Sequence, residues 1–418
     1  MKKVVTFVAL LFVACMFLTA CAPAATATSA AVEPTTAPAV EQATSAPEAT
    51  TAPAAEKKEY NIAVIRWDPN DIYFNGVQLG QEMERDRIQT EEGVTINFNV
   101  FGANDAAKQV TALQQMMDTG IDGVLISPWR GEAMVSLVED LNTRGIPVVA
   151  HNNAIPGGKS AFVAMDNFAA GEGAAKYVVQ RLEEVRGADW AKTEGGVLVE
   201  LRCIVTISAD IGRHDGYHSV FDPILAENKN LTWETTEAGC DGAKARKYVD
   251  DMISRYGDKI MAIVSIDGTM GVGGAVPALD AQSMLVPPED AKHIVIATVD
   301  GTQVELQAIN KGDTDVSFVQ PAVGEGITSM HVLWDMIKNG GAQMDTPTAD
   351  SDYLTGDEPW EPVVETSGAS LGFEGPWFKL QTYGVPVDRK VEDKSNWGNL
   401  IYVDQNGSDP VYDGNYGK

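Results

Sequence analysis

The feature that most constrains the fold of this chain is a repeated alternation of short apolar runs with stretches of helical periodicity. The alternation begins at Tyr60 and continues as far as residue 319. A near-continuous apolar run such as residues 61–65 is typical of a strand that is buried on both faces of a parallel sheet. Strands separated by helix-length segments predict parallel sheets with right-handed crossovers. The chain is therefore expected to fold as an α/β protein.

The predicted elements fall into two similar series. Strands are predicted at residues 61–65, 94–100, 123–126, 146–150, 197–201, 231–235, 260–266, 293–298 and 315–319. Helices are predicted at residues 74–87, 106–117, 131–142, 170–184, 213–227, 242–255, 271–283 and 303–311. The alternation restarts near residues 164–167, which predicts two doubly wound lobes rather than one continuous sheet. The length that remains after the amino-terminal segments also favours two domains.

The amino terminus has the pattern of a secretory signal peptide. Lys2 and Lys3 precede an apolar run from Val4 to Phe17, which is shorter than the ~20 apolar residues that a membrane-spanning helix needs. The sequence Leu18-Thr-Ala-Cys21 resembles a bacterial lipobox, in which the cysteine is lipidated and becomes the first mature residue. We therefore expect residues 1–20 to be removed and Cys21 to anchor the protein outside the cytoplasmic membrane, at the cell surface or in the periplasm. An ordinary signal peptide that happens to contain a cysteine is the alternative.

Residues 21–58 are expected to form a disordered linker after the anchor. Residues 22–56 consist mainly of Ala, Thr, Pro, Ser and Glu and contain no aromatic side chain. Such a segment buries too little apolar surface to offset the entropy of ordering it. Its prolines favour a semi-extended spacer between the membrane and the folded body.

The composition excludes one broad class of function. The chain carries 59 acidic and 31 basic residues, a formal net charge of −28. A nucleic-acid-binding surface needs Lys and Arg, so this balance argues against a nucleic-acid partner. The hydrophobic fraction of 44% and the charged fraction of 22% are those of an ordinary soluble globular protein.

Two of the four cysteines remain for the folded body. Cys15 leaves with the signal peptide and Cys21 takes the lipid, which leaves Cys203 and Cys240. Each follows a predicted strand, and neighbouring parallel strands would bring the two Cα atoms within bridging distance. In an oxidising compartment the pair is either a disulfide or two buried free thiols.

The residues that follow the predicted strands form the candidate site, because ligands of doubly wound sheets bind at the carboxyl ends of the strands. These segments are rich in Asp, Asn and aromatic residues and poor in nucleophiles. They are residues 67–74, 127–130, 151–153, 202–213, 238–241, 267–269, 300–302 and Gln320. Carboxylates and amides pair with hydroxyl groups, and ring faces cover the apolar side of a sugar. Each Asp or Asn taken singly is explained equally well as a helix cap, but the whole set favours a binding cleft.

Several short motifs occur in a fixed order along the chain. They are Asn61–Ile65, Asn70–Phe74, Gly120–Pro128, Gly145–Val149, Met165–Asn167, Ile266–Met270, Val299–Thr302 and Gln320–Pro321. In this order they resemble periplasmic sugar-binding proteins of the ribose/galactose-binding type, the substrate receptors of ABC importers. The resemblance runs from about residue 60 to residue 336. It implies a type I periplasmic binding protein fold with a hinge, an N-terminal lobe of residues 59–165 plus 321–340, and a C-terminal lobe of residues 166–320 plus 341–418.

The resemblance also implies a set of ligand contacts. Matched by position, they are Asp71, Tyr73 and Phe74, whose rings would sandwich the sugar, then Asn152 and Asn153, Asp267, Asp300 and Gln320. Trp67 and Trp129 add ring surface where the ribose binders have small polar residues. Ile211 replaces a family arginine, with Arg213 nearby as its substitute, and Cys240 replaces an aromatic residue. These departures favour a different monosaccharide, or a polyol, over ribose.

One replacement bears directly on the ligand. Asp267 stands where the family has an Asn, and an ionised carboxylate accepts hydrogen bonds but cannot donate them. It therefore favours hydroxyl or ammonium donors, so both a polyol and an amino sugar stay open.

The carboxyl-terminal stretch is longer than the family pattern. Residues 345–377 read as a polar insertion that contains tryptophan, and residues 386–391 and 393–397 resemble the family's closing segment. The last of these would be the third chain crossing between the lobes. The tail after Gly398 has no assignment.

The expected mechanism is closure of the two lobes over a monosaccharide or polyol, which the protein then delivers to an ABC importer. A sensor that presents its ligand to a membrane receptor is the alternative. An enzyme is disfavoured because the chain has no Gly-x-Ser-x-Gly or His-Glu-x-x-His motif. His214 and His218 are interpreted as surface or core histidines rather than zinc ligands. No cofactor and no metal are expected, and the protein is expected to be a monomer.

Overall fold

Two parallel β-sheets organise the part of the chain that the computed structural model describes. The described residues are 57–157, 159–340, 362–365, 373, 375–380, 382 and 384–386. The predicted signal peptide, Cys21, the linker up to residue 56 and the tail after residue 398 lie outside this range. No described helix combines the length and the apolar character that a membrane span requires.

The first sheet is built around five parallel strands in the order β2-β1-β3-β4-β5. Its strands are β1 (Glu59–Arg66), β2 (Thr95–Gly102), β3 (Gly123–Ile126), β4 (Val148–His151) and β5 (Ala161–Met165). The helices between them are α1 (Ile72–Glu92), α2 (Ala106–Thr119) and α3 (Val135–Thr143), the last preceded by a 3₁₀ turn at Gly131–Met134. Ala63 and Ile65 of β1 belong to one hydrophobic core and Ile62 and Val64 to another. Because both faces of the sheet are covered, β1 reads as an unbroken apolar run.

The second sheet repeats this topology in the order β7-β6-β8-β9-β10. Its strands are β6 (Val197–Arg202), β7 (Thr232–Glu237), β8 (Ile260–Ser265), β9 (Val295–Asp300) and β10 (Val316–Val319). The helices are α4 (Asn167–Arg186), α5 (Ser208–Glu227), α6 (Gly242–Tyr256), α7 (Gly268–Met270), α8 (Val276–Ala281) and α9 (Gln303–Lys311). A π-helical turn, Gly271–Ala275, joins α7 to α8, and 3₁₀ turns lie at Trp190–Lys192 and Gly257–Lys259. The predicted α/β fold of two doubly wound lobes is confirmed.

The last described helix and strands are divided between the lobes. Helix α10 (Ala322–Lys338) packs on α1 of the first lobe. Strands β11 (Pro362–Glu365) and β12 (Trp377–Leu380) extend the first sheet, with β12 parallel to β5 and β11 antiparallel to β12. Strand β13 (Gly384–Pro386) pairs antiparallel with β10 in the second sheet.

The prediction that all of residues 341–418 belong to the second lobe is wrong for β11 and β12, which join the first sheet. Trp377, Phe378 and Leu380 are buried against the first lobe. There β12 pairs with β5 and covers a sheet edge that would otherwise be exposed. The apolar pattern of the segment predicts burial, but it does not identify which sheet edge the strand joins.

The chain crosses between the lobes three times within the described residues. The crossings lie between β5 and α4, between β10 and α10, and between β12 and β13. Two hydrogen bonds tie the crossings together. The hydroxyl of Thr382 donates to the carbonyl of Val319 at 2.7 Å, and the amide of Asp166 donates to the carbonyl of Leu380 at 2.9 Å. The third crossing was predicted at residues 393–397, which lie outside the described range; the chain already crosses between residues 380 and 384.

Candidate ligand-binding cleft

A cleft of about 420 Å³ lies between the two lobes at the carboxyl ends of their strands. Its volume is within the range of small-molecule sites. Ten of the eleven residues predicted to contact a ligand line it: Trp67, Asp71, Tyr73, Phe74, Trp129, Asn152, Arg213, Asp267, Asp300 and Gln320. The strand ends therefore bring together residues that are up to 253 positions apart in sequence, from Trp67 to Gln320.

Aromatic side chains form the wall that the first lobe contributes. Trp67 stacks parallel to Phe74, with ring centroids 6.2 Å apart and planes 9° apart. Trp129 lies 4.3 Å from Trp67, and Tyr73 meets Phe74 edge-on at 5.0 Å. Aromatic rings line the cleft from this lobe only, among the described residues. The rings therefore form a one-sided platform, which differs from the sandwich that the family resemblance implies.

Helix α1 begins at the cleft and holds two of the predicted contacts. The carboxylate of Asp71 caps the helix by accepting a hydrogen bond from the Tyr73 amide at 2.7 Å. Burial raises the pKa of Asp71 above its ordinary value. The hydroxyl of Tyr73 donates to Glu325 of α10 at 2.7 Å, which fixes its ring against Phe74. Burial, and then the charge of Glu325, raise the pKa of Tyr73 well above its ordinary value.

Arg213 organises the polar wall of the second lobe. Its guanidinium is buried and donates to four oxygens: Asn167 Oδ1 at 2.8 Å, the Ile266 carbonyl at 2.6 Å, Asp300 Oδ1 at 3.0 Å and Gln320 Oε1 at 2.7 Å. These partners come from four different segments of the chain. Arg213 therefore sets the positions of Asp300 and Gln320 in addition to supplying the only cationic side chain among the residues that line the cleft.

Carboxylates outnumber this cation in the cleft. Five aspartates line it: Asp68, Asp71, Asp241, Asp267 and Asp300. Burial raises the pKa of Asp267 to about 7, although its hydrogen bond from the Met270 amide and the charge of Arg213 act in the opposite direction. Burial raises the pKa of Asp300 well above its ordinary value against the opposing effect of Arg213. A ligand that donates hydrogen bonds or carries positive charge would relieve this crowding of acceptors.

Backbone strain is concentrated at the cleft. Four described residues other than glycine have φ in the positive range, and three of them line the cleft: Asn152 at 63°, Cys240 at 55° and Asp300 at 124°. Such conformations persist only where surrounding contacts hold them, and they cluster at functional sites. The backbone amide of Gln320 donates to the Asp300 carbonyl at 3.0 Å, which helps to hold Asp300 in its strained backbone conformation.

A disulfide forms part of the cleft lining. Cys203 follows β6 and Cys240 follows the neighbouring parallel strand β7, and their sulfurs are bonded with the Cα atoms 4.4 Å apart. Both cysteines line the cleft. The bond thus occupies the position at which Cys240 replaces a family aromatic residue.

Asn153 is the one predicted contact that does not line the cleft. Its amide nitrogen donates to Asn152 Oδ1 at 2.8 Å, and its oxygen accepts from the Ala209 amide of the second lobe at 3.5 Å. Asn153 therefore orients a cleft residue and joins the two lobes.

Sequence reasoning also missed contributors to the site. Asn104 lines the cleft two residues after β2, and applying the strand-end rule to that strand would have found it. Glu325 lies behind Tyr73 and Gln320, fully buried on α10. No sequence pattern distinguishes it from a surface residue of that helix.

Comparisons with known proteins agree with this architecture. Residues 62–342 match the family model described as "Periplasmic binding protein domain". The ribose import binding protein of Bacillus subtilis is 26% identical over 254 residues, which is 60% of this chain and 73% of that protein.

Two solved structures share the fold. An ABC transporter solute binding protein from Bacillus halodurans with bound myo-inositol superposes with a TM-score of 0.56 at 22% identity, covering 68% of this chain and 91% of that one. A periplasmic solute binding protein from Actinobacillus succinogenes with bound D-allose gives a TM-score of 0.60 at 15% identity, covering 79% and 99%. The family match covers well over half of the 418 residues of this chain, so the chain belongs to the periplasmic binding protein family.

Proposed function

We propose that the cleft captures a polyhydroxylated small molecule, a monosaccharide or a polyol, and that the lobes close over it for delivery to an ABC importer. The observation that carries this proposal is the pairing of an aromatic wall on one lobe with a wall of carboxylates, amides and Arg213 on the other. Ring faces cover the C–H side of a sugar, while its hydroxyls donate to the carboxylates and accept from Arg213. The relatives above are named for ribose or hold myo-inositol or D-allose, all of them polyhydroxylated.

Closure follows from the division of these contacts between the lobes. A ligand that touches both walls has more contacts in the closed form, and this difference in affinity shifts the population toward it. The three chain crossings provide the hinge. A ligand that contacts one wall alone would not favour the closed form.

A ligand screen tests the proposal. The protein is scanned by thermal shift against pentoses, hexoses, polyols, amino sugars, nucleosides and amino acids, and each hit is titrated by calorimetry. We expect a sugar or polyol to bind at one site per chain. Shifts produced by nucleosides or amino acids alone would contradict the proposed ligand class.

Two substitutions locate the binding. Phe74→Ala removes part of the aromatic wall and Asp300→Ala removes an acceptor, so both should weaken the calorimetric affinity for the hit. Phe168→Ala is the matched control, because this ring is 45% exposed and is not among the residues that line the cleft. Unchanged affinity in both cleft variants would refute the site.

We also propose that Cys21 carries a lipid anchor and that residues 21–58 form the spacer that keeps the body near a transporter. The lipobox-like sequence Leu18–Cys21 supports this proposal. Cys21→Ala should move the protein from the membrane fraction to the soluble extracytoplasmic fraction and abolish incorporation of a labelled fatty acid. Equal membrane retention of the variant would exclude the anchor.

A further inference from the structure

A second cluster of functional side chains lies outside the cleft, between β6 and α5 of the second lobe. It contains Glu200, His214 and His218, whose ligand-type atoms all lie within 4.8 Å of one another. Glu200 Oε1 is 2.8 Å from His214 Nδ1, and Glu200 Oε2 is 3.7 Å from His218 Nε2. Adjacent ligands of a tetrahedral zinc ion lie about 3.3 Å apart, as its bond lengths require. The two separations lie on either side of this value, so small shifts of these side chains would give the spacing of a zinc site.

The elements that carry these residues hold them in a metal-binding arrangement. Glu200 is fully buried in β6, while His214 and His218 are four residues apart and lie on one face of α5. Each histidine side chain is about a quarter exposed, which leaves a path for an ion from solvent. Two imidazoles and a carboxylate form a ligand set that suits zinc and similar divalent transition metals.

His218 shows the orientation that a metal-bound imidazole normally has. Its Nδ1 is 2.7 Å from Asp222 Oδ1, and a proton that Nδ1 donates to this carboxylate would leave the electron pair of Nε2 for a metal ion. That Nε2 is buried and has no hydrogen-bond partner among the described residues. A carboxylate behind a ligating histidine fixes its tautomer and increases its basicity.

Trp233 of β7 closes the other side of the cluster. Its indole nitrogen donates to Glu200 Oε2 at 3.2 Å, and its ring lies 4.9 Å from the imidazole of His218. An apolar wall of this kind limits water and strengthens the attraction between a cation and the buried carboxylate.

The charge balance of the cluster also favours a cation. The carboxylate of Glu200 is fully buried, so a cation bound beside it would offset the cost of burying its charge. The nearby Arg202 is hydrogen-bonded to a different buried carboxylate, that of Asp210.

We propose that Glu200, His214 and His218 bind a divalent transition metal ion of the zinc class, with Asp222 orienting His218. The ion would tie α5 to the second sheet. Since α5 also carries Arg213, the metal would stabilise the element that organises the polar wall of the cleft. The inference does not depend on which ligand the cleft binds.

The test uses the metal alone on the full chain, purified without a polyhistidine tag and stripped with a chelator. Calorimetric titration with Zn²⁺ should show one site per chain, and Co²⁺ should give visible absorption of a site with nitrogen and oxygen ligands. Asp222→Asn should weaken Zn²⁺ binding by ~10- to 100-fold, and His218→Ala by at least as much. Failure of the parent protein to bind Zn²⁺ would overturn the proposal.

A matched control comes from another partly buried histidine. His331 is near Glu84 and Asp335, so it shares the carboxylate surroundings but not the second histidine of the cluster. His331→Ala should leave Zn²⁺ affinity and stoichiometry unchanged. Asp222→Asn alters a residue whose side chain is 64% exposed, so it keeps the test valid if a histidine variant fails to fold. Zn²⁺ affinity that is equal in the parent, His218→Ala and Asp222→Asn proteins would also refute the site.

Discussion

For each buried aspartate of the cleft, ionisation has two opposing effects. As ionised groups they are strong acceptors for hydroxyl donors, yet burial makes the charged form unfavourable. Arg213 offsets part of that penalty for Asp300 through a contact of 3.0 Å. Asp267 forms no such ion pair with the residues that the structure describes, and burial raises its pKa to about 7. Its protonation state therefore changes near neutral pH.

The stability of the ligand-free protein should reflect this change. The pKa of Asp267 rises from an ordinary value of 3.8 to about 7 on folding, so the folded state binds more protons between these pH values. The contribution of Asp267 to stability is then most favourable below pH 4 and declines as pH rises to about 7. Asp267→Asn keeps a helix-capping oxygen and should raise the free energy of unfolding at pH 8 by a few kcal/mol, at ~1.4 kcal/mol per pKa unit.

Urea unfolding at pH 5 and pH 8 measures this effect. Asp68→Asn serves as the control, because Asp68 lines the same cleft but is only partly buried. The pH 8 gain should be specific to Asp267→Asn. A variant that is less stable than the parent at pH 8 would show that the buried carboxylate does not carry this penalty.

At the scale of elements, close helix pairs recur in both lobes. A Cβ atom on Gly80 of α1 would lie 2.1 Å from the Val323 carbonyl oxygen of α10, and one on Gly326 of α10 would lie 2.0 Å from the Val77 carbonyl oxygen of α1. Helices α4 and α5 approach each other in the same way at Gly171 and Gly216. The glycines allow backbones to touch, so the helix pairs that border the hinge and the cleft are tightly packed.

Alanine at these crossings should therefore be strongly destabilising. Gly80→Ala and Gly326→Ala place a methyl group against backbone that cannot move aside, and each should lower the free energy of unfolding by ~1–3 kcal/mol or more. Gly273→Ala is the control, since a Cβ there meets nothing within 4 Å, and helix propensity predicts a neutral or stabilising effect. Denaturant unfolding separates the outcomes, and equal stability of the three variants would show that the crossings are not tight.

The disulfide joins the ends of β6 and β7 and closes a sequence separation of 37 residues. Replacing both Cys203 and Cys240 by Ala should lower the free energy of unfolding by about 2–4 kcal/mol, because the unfolded chain is no longer constrained. A reducing agent should lower the stability of the parent protein to a similar level and leave the double variant unchanged. Two more titratable thiols in the unreduced parent than in the double variant would instead identify the pair as free cysteines.

At the scale of the whole molecule, hydrogen bonds outside the cleft lining also join the two lobes. Ala154 donates its amide to the hydroxyl of Ser208 at 3.0 Å, and the guanidinium of Arg130 donates to Thr206 Oγ1 at 3.3 Å. These bonds form between residues of different lobes, so in the proposed mechanism they would favour this arrangement over one in which the lobes have moved apart. Ligand affinity depends on that difference, since a closed form that is less populated lowers the apparent affinity.

Ser208→Ala should therefore weaken ligand binding although Ser208 is not among the residues that line the cleft. The lost hydrogen bond is worth about 0.5–1.5 kcal/mol, which corresponds to a ~2- to 10-fold loss of apparent affinity in calorimetry. Ser219→Ala on the same helix is the control, because the hydroxyl of Ser219 donates locally to the Gly216 carbonyl. Equal affinity in the two variants would mean that this interlobe bond does not contribute to closure.

The sequence by itself determined the fold class and most of the cleft, for identifiable reasons. Strands buried on both faces read as apolar runs, and β3 and α9 begin and end at the predicted residues. Polar residues after those runs fall at one end of each sheet because parallel strands share a direction. Strand β5 was not predicted, and the range 271–283 predicted as one helix contains the π-helical turn followed by α8.

The tertiary structure alone decided which distant segments meet. It assigned β12 to the first sheet, placed Glu325 behind Tyr73, and brought Glu200 of β6 to His214 and His218 of α5. Each of these contacts depends on which sheet edge is open and on which faces pack together. Local patterns of hydrophobicity record that a residue is buried, but they do not record its partner across the fold. For that physical reason the sequence predicted a cleft and its residue types. The four hydrogen bonds of Arg213 and the cluster of Glu200, His214 and His218 are contacts that only the tertiary structure reveals.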